Sequence, residues 1–221
     1  MIEKIINGIK YLLNEETLTA EIVENEGNGS KINIPEIVVF NEVSYRVTCI
    51  KEKGFSGYPS LTSIIIPDSV TEIGARAFAN CHKLTDIIIP DSVTSIGERA
   101  FLWCFSLNTV TIPNSVTTVG KRAFSGCGLT SITIPDSVTS IGEGTFLDCE
   151  SLEEVVIGNS VTSIGGEAFC RCEMLTDIRF RGTIAQWRKI ELGNQWNDEP
   201  PAIVVRCTDG DVSCYKKIKY L

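Results

Sequence analysis

Apolar residues recur along this chain at a fixed interval. From residue 66 to residue 179 one pattern repeats every 23 residues, and the third unit is one residue shorter, beside Gly128. A degenerate unit precedes these, with apolar residues at 47–50, Phe55 and 61–64 in the same slots. A period of this length predicts a solenoid, in which each unit forms one coil and stacked coils bury a continuous core. The explicit units begin at Ile66, Ile89, Ile112, Ile134 and Ile157.

Each unit predicts a short strand followed by turns. Leu84, Ile87 and Ile89 follow the spacing L-x-x-I-x-I, which is expected of a strand with one buried face. A proline then ends the strand, because proline has no N–H to donate to a neighbouring strand. Further along each unit, an Ala-Phe pair is expected on a short helical or 3-10 turn. Stacked about 4.8 Å apart, six such strands would form one continuous parallel face. The phenylalanines are Phe78, Phe101, Phe124, Phe146 and Phe169.

The repeated string I-P-x-S-V-T-x-I-G-x-x-A-F-x-x-C-x-x-L-T-x-I resembles the BspA-like class of bacterial leucine-rich repeats. The flanks are also similar: 7–11 and 41–48 resemble a β-rich N-terminal cap, and 180–196 with 204–210 resemble the closing module. The resemblance implies an α/β-type leucine-rich-repeat solenoid, predominantly β, with its parallel strands in a curved right-handed stack. It implies a cap at 1–48, repeats at 49–180 and a C-terminal cap at 181–221. Such proteins are often cell-surface or secreted adhesion and recognition proteins.

The two ends of the predicted solenoid need covers, since an open end exposes an apolar coil and an unpaired strand edge. Trp187 and Trp196 are expected to cover the last coil. The dipeptide Asp209-Gly210 predicts a hairpin that pairs Cys207 with Val212. A disulfide between Cys207 and Cys214 is the alternative arrangement of this hairpin.

The outward positions of the strands are the candidate binding surface. In L-x-x-I-x-I the third and fifth positions face outward, and we expect them to contact a protein or peptide. β-branched residues also favour strands for their own sake, which explains the threonines better than Ile65, Ile88 and Val156. The third positions are Ser63, Asp86, Thr109, Ser131, Glu154 and Asp177. The fifth positions are Ile65, Ile88, Thr111, Thr133, Val156 and Arg179.

One unit departs from the consensus beside its cysteine. Trp103 and Phe105 flank Cys104 where other units place glycine, asparagine, histidine or charged residues. Large exposed aromatic residues are enriched in interface hot spots, so this pair is a possible second contact. The alternative is that one of the rings fills a notch left by the residue missing beside Gly128.

Two columns of polar or reactive residues, one of cysteines and one of Asp and Asn, are candidate metal sites. Each column also has a simpler explanation. Side chains of one straight column point in parallel, whereas a disulfide or a zinc site needs them to converge; we therefore expect buried, reduced thiols. The acidic column alternates Asp with Asn, which favours Asx turns over a calcium ladder. The cysteines are Cys81, Cys104, Cys127, Cys149 and Cys172. The acidic column is Asp68, Asp91, Asn114, Asp136 and Asn159.

Catalytic groups are hard to find in this sequence. The single histidine, His82, lies beside a column cysteine expected to be buried, so it makes a poor nucleophile pair. Gly27-Asn28-Gly29 lacks the third glycine of a dinucleotide site. Glu153 and Glu154 are adjacent on a strand, so they point to opposite faces. We expect no enzyme, no metal and no organic cofactor.

The net charge and the hydropathy of the chain limit which classes of partner it is expected to bind. The net charge of −8 and the pI near 4.8 argue against nucleic acid, and no apolar run is long enough for membrane insertion. Residues 1–13 lack a signal-peptide pattern, so the protein is expected inside the cell unless an export signal lies outside this sequence. The leading hypothesis is a non-enzymatic recognition module, as monomer or weak homo-oligomer. The alternative is a structural scaffold that self-assembles.

Overall fold

A computed structural model of the chain describes residues 1–198 and 203–214, so the rest of the predicted C-terminal cap lies outside the described residues. The N-terminal region is rich in strand, as the sequence predicts. Its alternating apolar residues, such as Ile9, Tyr11 and Leu13, are buried on one face. The strands are β1 (Ile2–Ile6), β2 (Ile9–Asn14), β3 (Thr19–Asn25), β4 (Lys31–Asn33), β5 (Ile37–Phe40) and β6 (Val43–Ile50).

The repeats add short strands, and most coils contribute two. These are β7 (Ser63–Ile65), β8 (Glu72–Ile73), β9 (Asp86–Ile88), β10 (Ser95–Ile96), β11 (Thr118–Val119), β12 (Ser131–Ile134), β13 (Ser140–Ile141), β14 (Glu154–Ile157), β15 (Ser163–Ile164) and β16 (Asp177–Phe180). The C-terminal region adds α1 (Ile184–Trp187), β17 (Glu191–Leu192), β18 (Ile203–Cys207) and β19 (Gly210–Cys214).

These strands stack into a solenoid of about eight turns, which confirms the predicted fold. One parallel ladder, the strand face, runs β4-β7-β9 and resumes as β12-β14-β16-β18. A second parallel ladder runs β6-β8-β10-β11 and resumes as β13-β15-β17. Strand β6 belongs both to the N-terminal region and to the second ladder, so the predicted boundary at residue 48 falls inside one strand. That boundary stays a prediction.

The strand predicted at Leu107–Ile112 is wrong, and the strand face is interrupted there. Residues 109–112 form no strand, and the ladder stops at β9 and begins again at β12. The next coil is the one that lacks a residue, and its Gly128 lies directly against the Phe105 carbonyl. The interruption of the strand face thus lies next to the shortened coil.

Phenylalanine rings form the centre of the core. Six rings are fully buried and stack coil upon coil, with neighbouring centroids 5.2–5.8 Å apart: those of Phe55, Phe78, Phe101, Phe124, Phe146 and Phe169. Trp196 meets Phe169 edge to face at 6.2 Å, and Trp187 contacts Trp196 at the same distance. Both tryptophans are buried, so their predicted role as the cover of the last coil is confirmed.

The Ala-Phe segments form consecutive turns rather than helix; α1 is the one helix in the described ranges. Within them the Phe78 N–H donates to the Ala100 carbonyl of the next coil at 2.7 Å. Two residues per coil adopt left-handed backbone angles, such as Arg99 at φ 56° and Trp103 at φ 59°. Every second N–H of the segment donates to the next coil in this way, and the N–H groups between them donate within their own coil, as Ala79 does to the Arg76 carbonyl at 3.1 Å.

The closing hairpin has a different register from the one predicted. Cys207 pairs with Gly210, Val212 pairs with Val205, and the turn is Thr208-Asp209. The Asp209 carboxylate accepts from the Ile184 N–H at 2.7 Å, and the Thr208 N–H donates to the Gly182 carbonyl at 2.9 Å. These contacts with the start of α1 hold both residues in the turn and move the glycine to the first strand position.

Candidate binding surfaces

The outward positions of the strand face line up as predicted. Ser63 lies beside Asp86, and Ile65 lies beside Ile88, on adjacent strands. The same register continues beyond the interruption, where Glu154 is flanked by its third-position neighbours and Val156 by its fifth-position neighbours. Ile65 and Ile88 are 59% and 71% exposed. The face therefore presents two adjacent apolar side chains to solvent.

The C-terminal half of the strand face is occupied by ion pairs between coils. Arg179 lies 3.1 Å from Glu154, and Arg206 lies 2.6 Å from Asp177. The hydrogen bond to Asp177 raises the pKa of the Arg206 guanidinium above its usual value. These side chains already have partners within the chain. The half of the strand face nearer the N-terminus is therefore the part whose outward side chains are more available to another molecule.

A groove of about 610 Å³ lies on the strand face where the ladder is interrupted. The carboxylate of Asp86 lines it, and the described part of the chain places no cation within ion-pair distance of that group. Arg181, which lies beyond the last repeat and was not among the predicted site residues, also lines the groove. The lining includes Asp86, Ile88, Thr109, Thr111, Thr133 and Arg181.

Trp103 and Phe105 form a second exposed surface, which shares no lining residue with that groove. Trp103 is 47% exposed and Phe105 is 57% exposed. The Phe105 ring lies 5.1 Å from the His82 ring of the preceding coil. Trp103 also lies over Gly126, where an added Cβ would overlap its Cδ1. The indole packs over Gly126 rather than beside Gly128 and remains half open to solvent, and the role of the pair as a second contact stays a prediction.

The predicted column of buried cysteines is confirmed. Each column thiol donates to the carbonyl of a phenylalanine in the preceding coil, for example Cys104 to Phe78 at 3.2 Å. Burial raises the pKa of the Cys81 and Cys149 thiols to about 12, so they are neutral at ordinary pH. Within residues 1–198 and 203–214, no three His, Cys, Asp or Glu side chains are grouped as metal ligands. The column packs the core.

The repeat matches a known family over most of the chain. The BspA type Leucine rich repeat region matches at residues 26–101 and 71–191, in six copies. This chain belongs to the BspA-type leucine-rich-repeat family. Its repeats are of a non-enzymatic kind. A comparison with curated proteins gives no match.

Solved structures of bacterial leucine-rich repeat proteins are similar to this chain. A leucine-rich repeat protein from T. pallidum is 28% identical, with 87% of this chain and 86% of that one covered and a TM-score of 0.75. A second, from Bacteroides ovatus, is 24% identical, covers 92% and 71%, and has a TM-score of 0.63. A third, from Bacteroides capillosus, is 28% identical, covers 59% and 96%, and has a TM-score of 0.54. These likenesses support the fold.

The strand face extends beyond the predicted strands at both ends. At one end Lys31 and Asn33 of β4 lie beside Ser63 and Ile65. At the other end Arg206 of β18 lies beside Arg179. A pattern in the sequence could have revealed the first extension, because Ile32-Asn33-Ile34-Pro35 has the I-x-I-P spacing that also occurs at 64–67, 87–90 and 132–135.

The acidic column of the BspA-type repeats lies on exposed turns. The hydrogen bonds that hold these turns are not the predicted Asx-turn bonds. The Val93 N–H donates to the Pro90 carbonyl at 3.0 Å, and the Ser92 hydroxyl donates to Val70 of the preceding coil at 2.6 Å. The Asp136 carboxylate accepts from the Asn159 N–H of the next coil at 2.9 Å. Serine and backbone groups, rather than Asx turns, close these corners.

The catalytic candidates of the BspA-type chain are not brought together. The Cys81 thiol is directed at the Phe55 carbonyl, away from an exposed His82. Glu154 forms an ion pair with Arg179, whereas Glu153 is exposed to solvent. In the described ranges, no helix has the length and apolar character needed to cross a lipid bilayer.

Proposed function

We propose that this protein is a recognition module that holds a protein or peptide along the strand face. The observation that supports this most is the pair Ile65 and Ile88, side by side on adjacent strands and 59% and 71% exposed. Leucine-rich-repeat proteins bind proteins generally, and this chain has the family's repeat over most of its length.

The energetics favour a partner that covers these two side chains. Burying an exposed isoleucine contributes about 1.5–3 kcal/mol, so the pair is enough to anchor a small interface. Threonines could fill the same slots without exposing apolar surface, as Thr111 and Thr133 do. Isoleucine at two adjacent slots is therefore best explained by contact with another molecule.

The charge of the groove favours a partner segment with basic residues. Asp86 and Asp91 both line it, and Arg181 is its one arginine. Arg181 lies 3.8 Å from Asp136, so its charge is partly matched within the chain. An extended segment that alternates apolar and basic side chains would place its apolar groups on the isoleucines and its cations near these carboxylates.

Selection from a displayed library of random peptides would test this function. We expect the selected peptides to be rich in apolar and basic residues. Their affinity for the double variant Ile65→Ser, Ile88→Ser should fall by about tenfold or more. The matched control is Met174→Ser, which removes an apolar side chain of similar exposure outside the strand face. Binding that survives the double variant, or is lost equally in the control, would contradict the strand-face assignment.

A self-assembling scaffold is the second candidate, supported by an open strand edge. Strand β5 pairs only with β6 in the described structure, and Ile37 and Val39 on it are 53% and 58% exposed. Unpaired apolar edges favour pairing between chains. Sedimentation velocity over a range of concentrations distinguishes the two functions: an oligomer that Val39→Lys dissociates supports assembly. A concentration-independent monomer contradicts it.

A further inference from the structure

Trp103 occupies a backbone position that disfavours it. Its φ is 59°, in the left-handed region, where the equivalent residues of other coils are Gly57, Asn80, Gly126, Asp148 and Arg171. Glycine reaches this region freely and asparagine tolerates it, whereas a bulky side chain there costs conformational energy. Burial does not compensate fully, because the indole is 47% exposed. The exposed part of the ring is therefore open to contact with a ligand.

The surface beside Trp103 is a groove with two unlike walls. Trp103 and Phe105 form one wall, and their column neighbours two coils further on, Asp148 and Glu150, form the other. Two coil spacings amount to about 10 Å, and the groove encloses about 430 Å³.

Glycines form the floor of this groove. A Cβ at Gly126 would overlap the Trp103 indole, and a Cβ at Gly128 would overlap the Phe105 carbonyl. The same unit is the one that lacks a residue, so its loop is short as well as small. The aromatic loop of one coil and the glycine loop of the next are matched, and together they leave room for a flat ring.

The polar wall offers both hydrogen-bond donors and acceptors. Arg171 lies 3.3 Å from the Asp148 carboxylate, and Glu150 and Ser151 lie beside them on the groove. A guanidinium only donates, a carboxylate only accepts, and a hydroxyl does both. The ion pair orients its two groups in advance, which reduces the entropy lost when a ligand binds them.

We propose that this groove binds a saccharide, one ring of which stacks on Trp103 while its hydroxyls bond to Asp148, Glu150 and Arg171. A pyranose has an apolar C–H face that suits an indole, and neighbouring hydroxyls that donate and accept at once. A cationic ligand would also suit the aromatic wall and the carboxylates, but Arg171 repels it. This site is separate from the proposed strand-face function, and each can fail without the other.

Tryptophan fluorescence offers a direct test, because Trp187 and Trp196 are buried and Trp103 is the exposed member of the three. Cello-, malto-, chito-, xylo- and galacto-oligosaccharides are titrated at millimolar concentration, with saturation-transfer NMR as the second readout. We expect at least one series to change the emission saturably. Trp103→Gly should remove the saturation-transfer signal, and Glu150→Gln should weaken binding by about tenfold.

The variants separate loss of the site from loss of the fold. Trp103→Gly is expected to fold, since glycine occupies the same left-handed position at Gly57 and Gly126. Asn80→Gly makes the same change one coil earlier and should leave binding intact, as should Ile65→Ser with Ile88→Ser. The proposal is overturned if none of the five series binds, if Trp103→Gly binds as well as the wild type, or if a lysine-valine peptide occupies the groove instead.

Discussion

The Cys127 thiol donates a hydrogen bond to the backbone carbonyl of Phe101, with sulfur and oxygen 3.1 Å apart. The same bond links Cys149 to Phe124 and Cys172 to Phe146. Each thiol donates to a backbone carbonyl of the preceding coil, so the column of thiols links neighbouring coils by hydrogen bonds. The arrangement needs the protonated thiol, and burial raises the pKa of Cys127 well above its ordinary value.

Stability should therefore fall at alkaline pH. The thiols of Cys81 and Cys149 ionise near pH 9.0 in the unfolded chain, and burial raises their pKa to about 12 in the folded protein. Above pH 9.0 the unfolded chain releases protons that the folded chain retains, so the free energy of unfolding decreases between these two values. Urea midpoints measured from pH 7 to pH 11 should decline beyond pH 9.0, and the decline should be shallower for Cys149→Ala. A midpoint that stays flat across this range would show that the thiols are not protected.

Removing a ring from the phenylalanine stack should strongly destabilise the protein. Phe101 is fully buried between Phe78 and Phe124, with centroids 5.3 and 5.2 Å away. We expect Phe101→Ala to lower the free energy of unfolding by about 3–5 kcal/mol, because it leaves a cavity between the two neighbouring rings. Phe105→Ala, four residues away and 57% exposed, should change it by less than about 0.5 kcal/mol. Denaturant unfolding measures both, and similar losses for the two variants would refute the internal stack.

Two serines at equivalent positions of neighbouring coils should differ in how substitution by alanine changes the stability of the protein. The Ser92 hydroxyl donates to the Val70 carbonyl at 2.6 Å, so Ser92→Ala should cost about 1 kcal/mol. Ser69 stands at the start of the column; its buried hydroxyl has no hydrogen-bond partner among the described residues. Ser69→Ala should therefore leave stability unchanged or raise it by up to about 1 kcal/mol. Thermal unfolding of the two single variants suffices, and a larger loss at Ser69 than at Ser92 would be inconsistent with this bonding.

The fit between Trp103 and Gly126 can be measured as a coupling energy. Gly126→Ala places a Cβ against the indole at a φ of 67°, and should cost about 1–3 kcal/mol. In a Trp103→Gly background the overlap is gone and only the backbone strain remains, so the same substitution should cost less. A double-mutant cycle by denaturant unfolding gives the difference. Additive effects would mean that the two residues do not constrain each other.

Much of the fold follows from the repeat alone. The period of 23 residues identifies which side chains are equivalent, and stacking then makes equivalent residues neighbours. Burial of Phe101, Cys104 and Leu107, and the cover formed by Trp187 and Trp196, could therefore be predicted without coordinates. The outward register of Ile65 beside Ile88 follows for the same reason.

The remaining features depend on contacts between coils that no single unit encodes. The strand is lost at 109–112, in the coil next to the shortened loop at Gly128, although the residues there follow the repeat. The hairpin turn at Thr208-Asp209 is set by bonds to Gly182 and Ile184 rather than by the dipeptide itself. The pairing of Arg179 with Glu154 likewise joins side chains of different coils.

The repeat is therefore enough to predict the solenoid, its buried columns and the face that points outward, because stacking the units places equivalent apolar residues on one another. Only the folded chain shows which part of that face stays open, where the ladder is interrupted, and that Trp103 lies across a floor of glycines from Asp148 and Glu150. These features arise from small departures from the repeat, and their effect depends on distances between coils that only the folded chain defines.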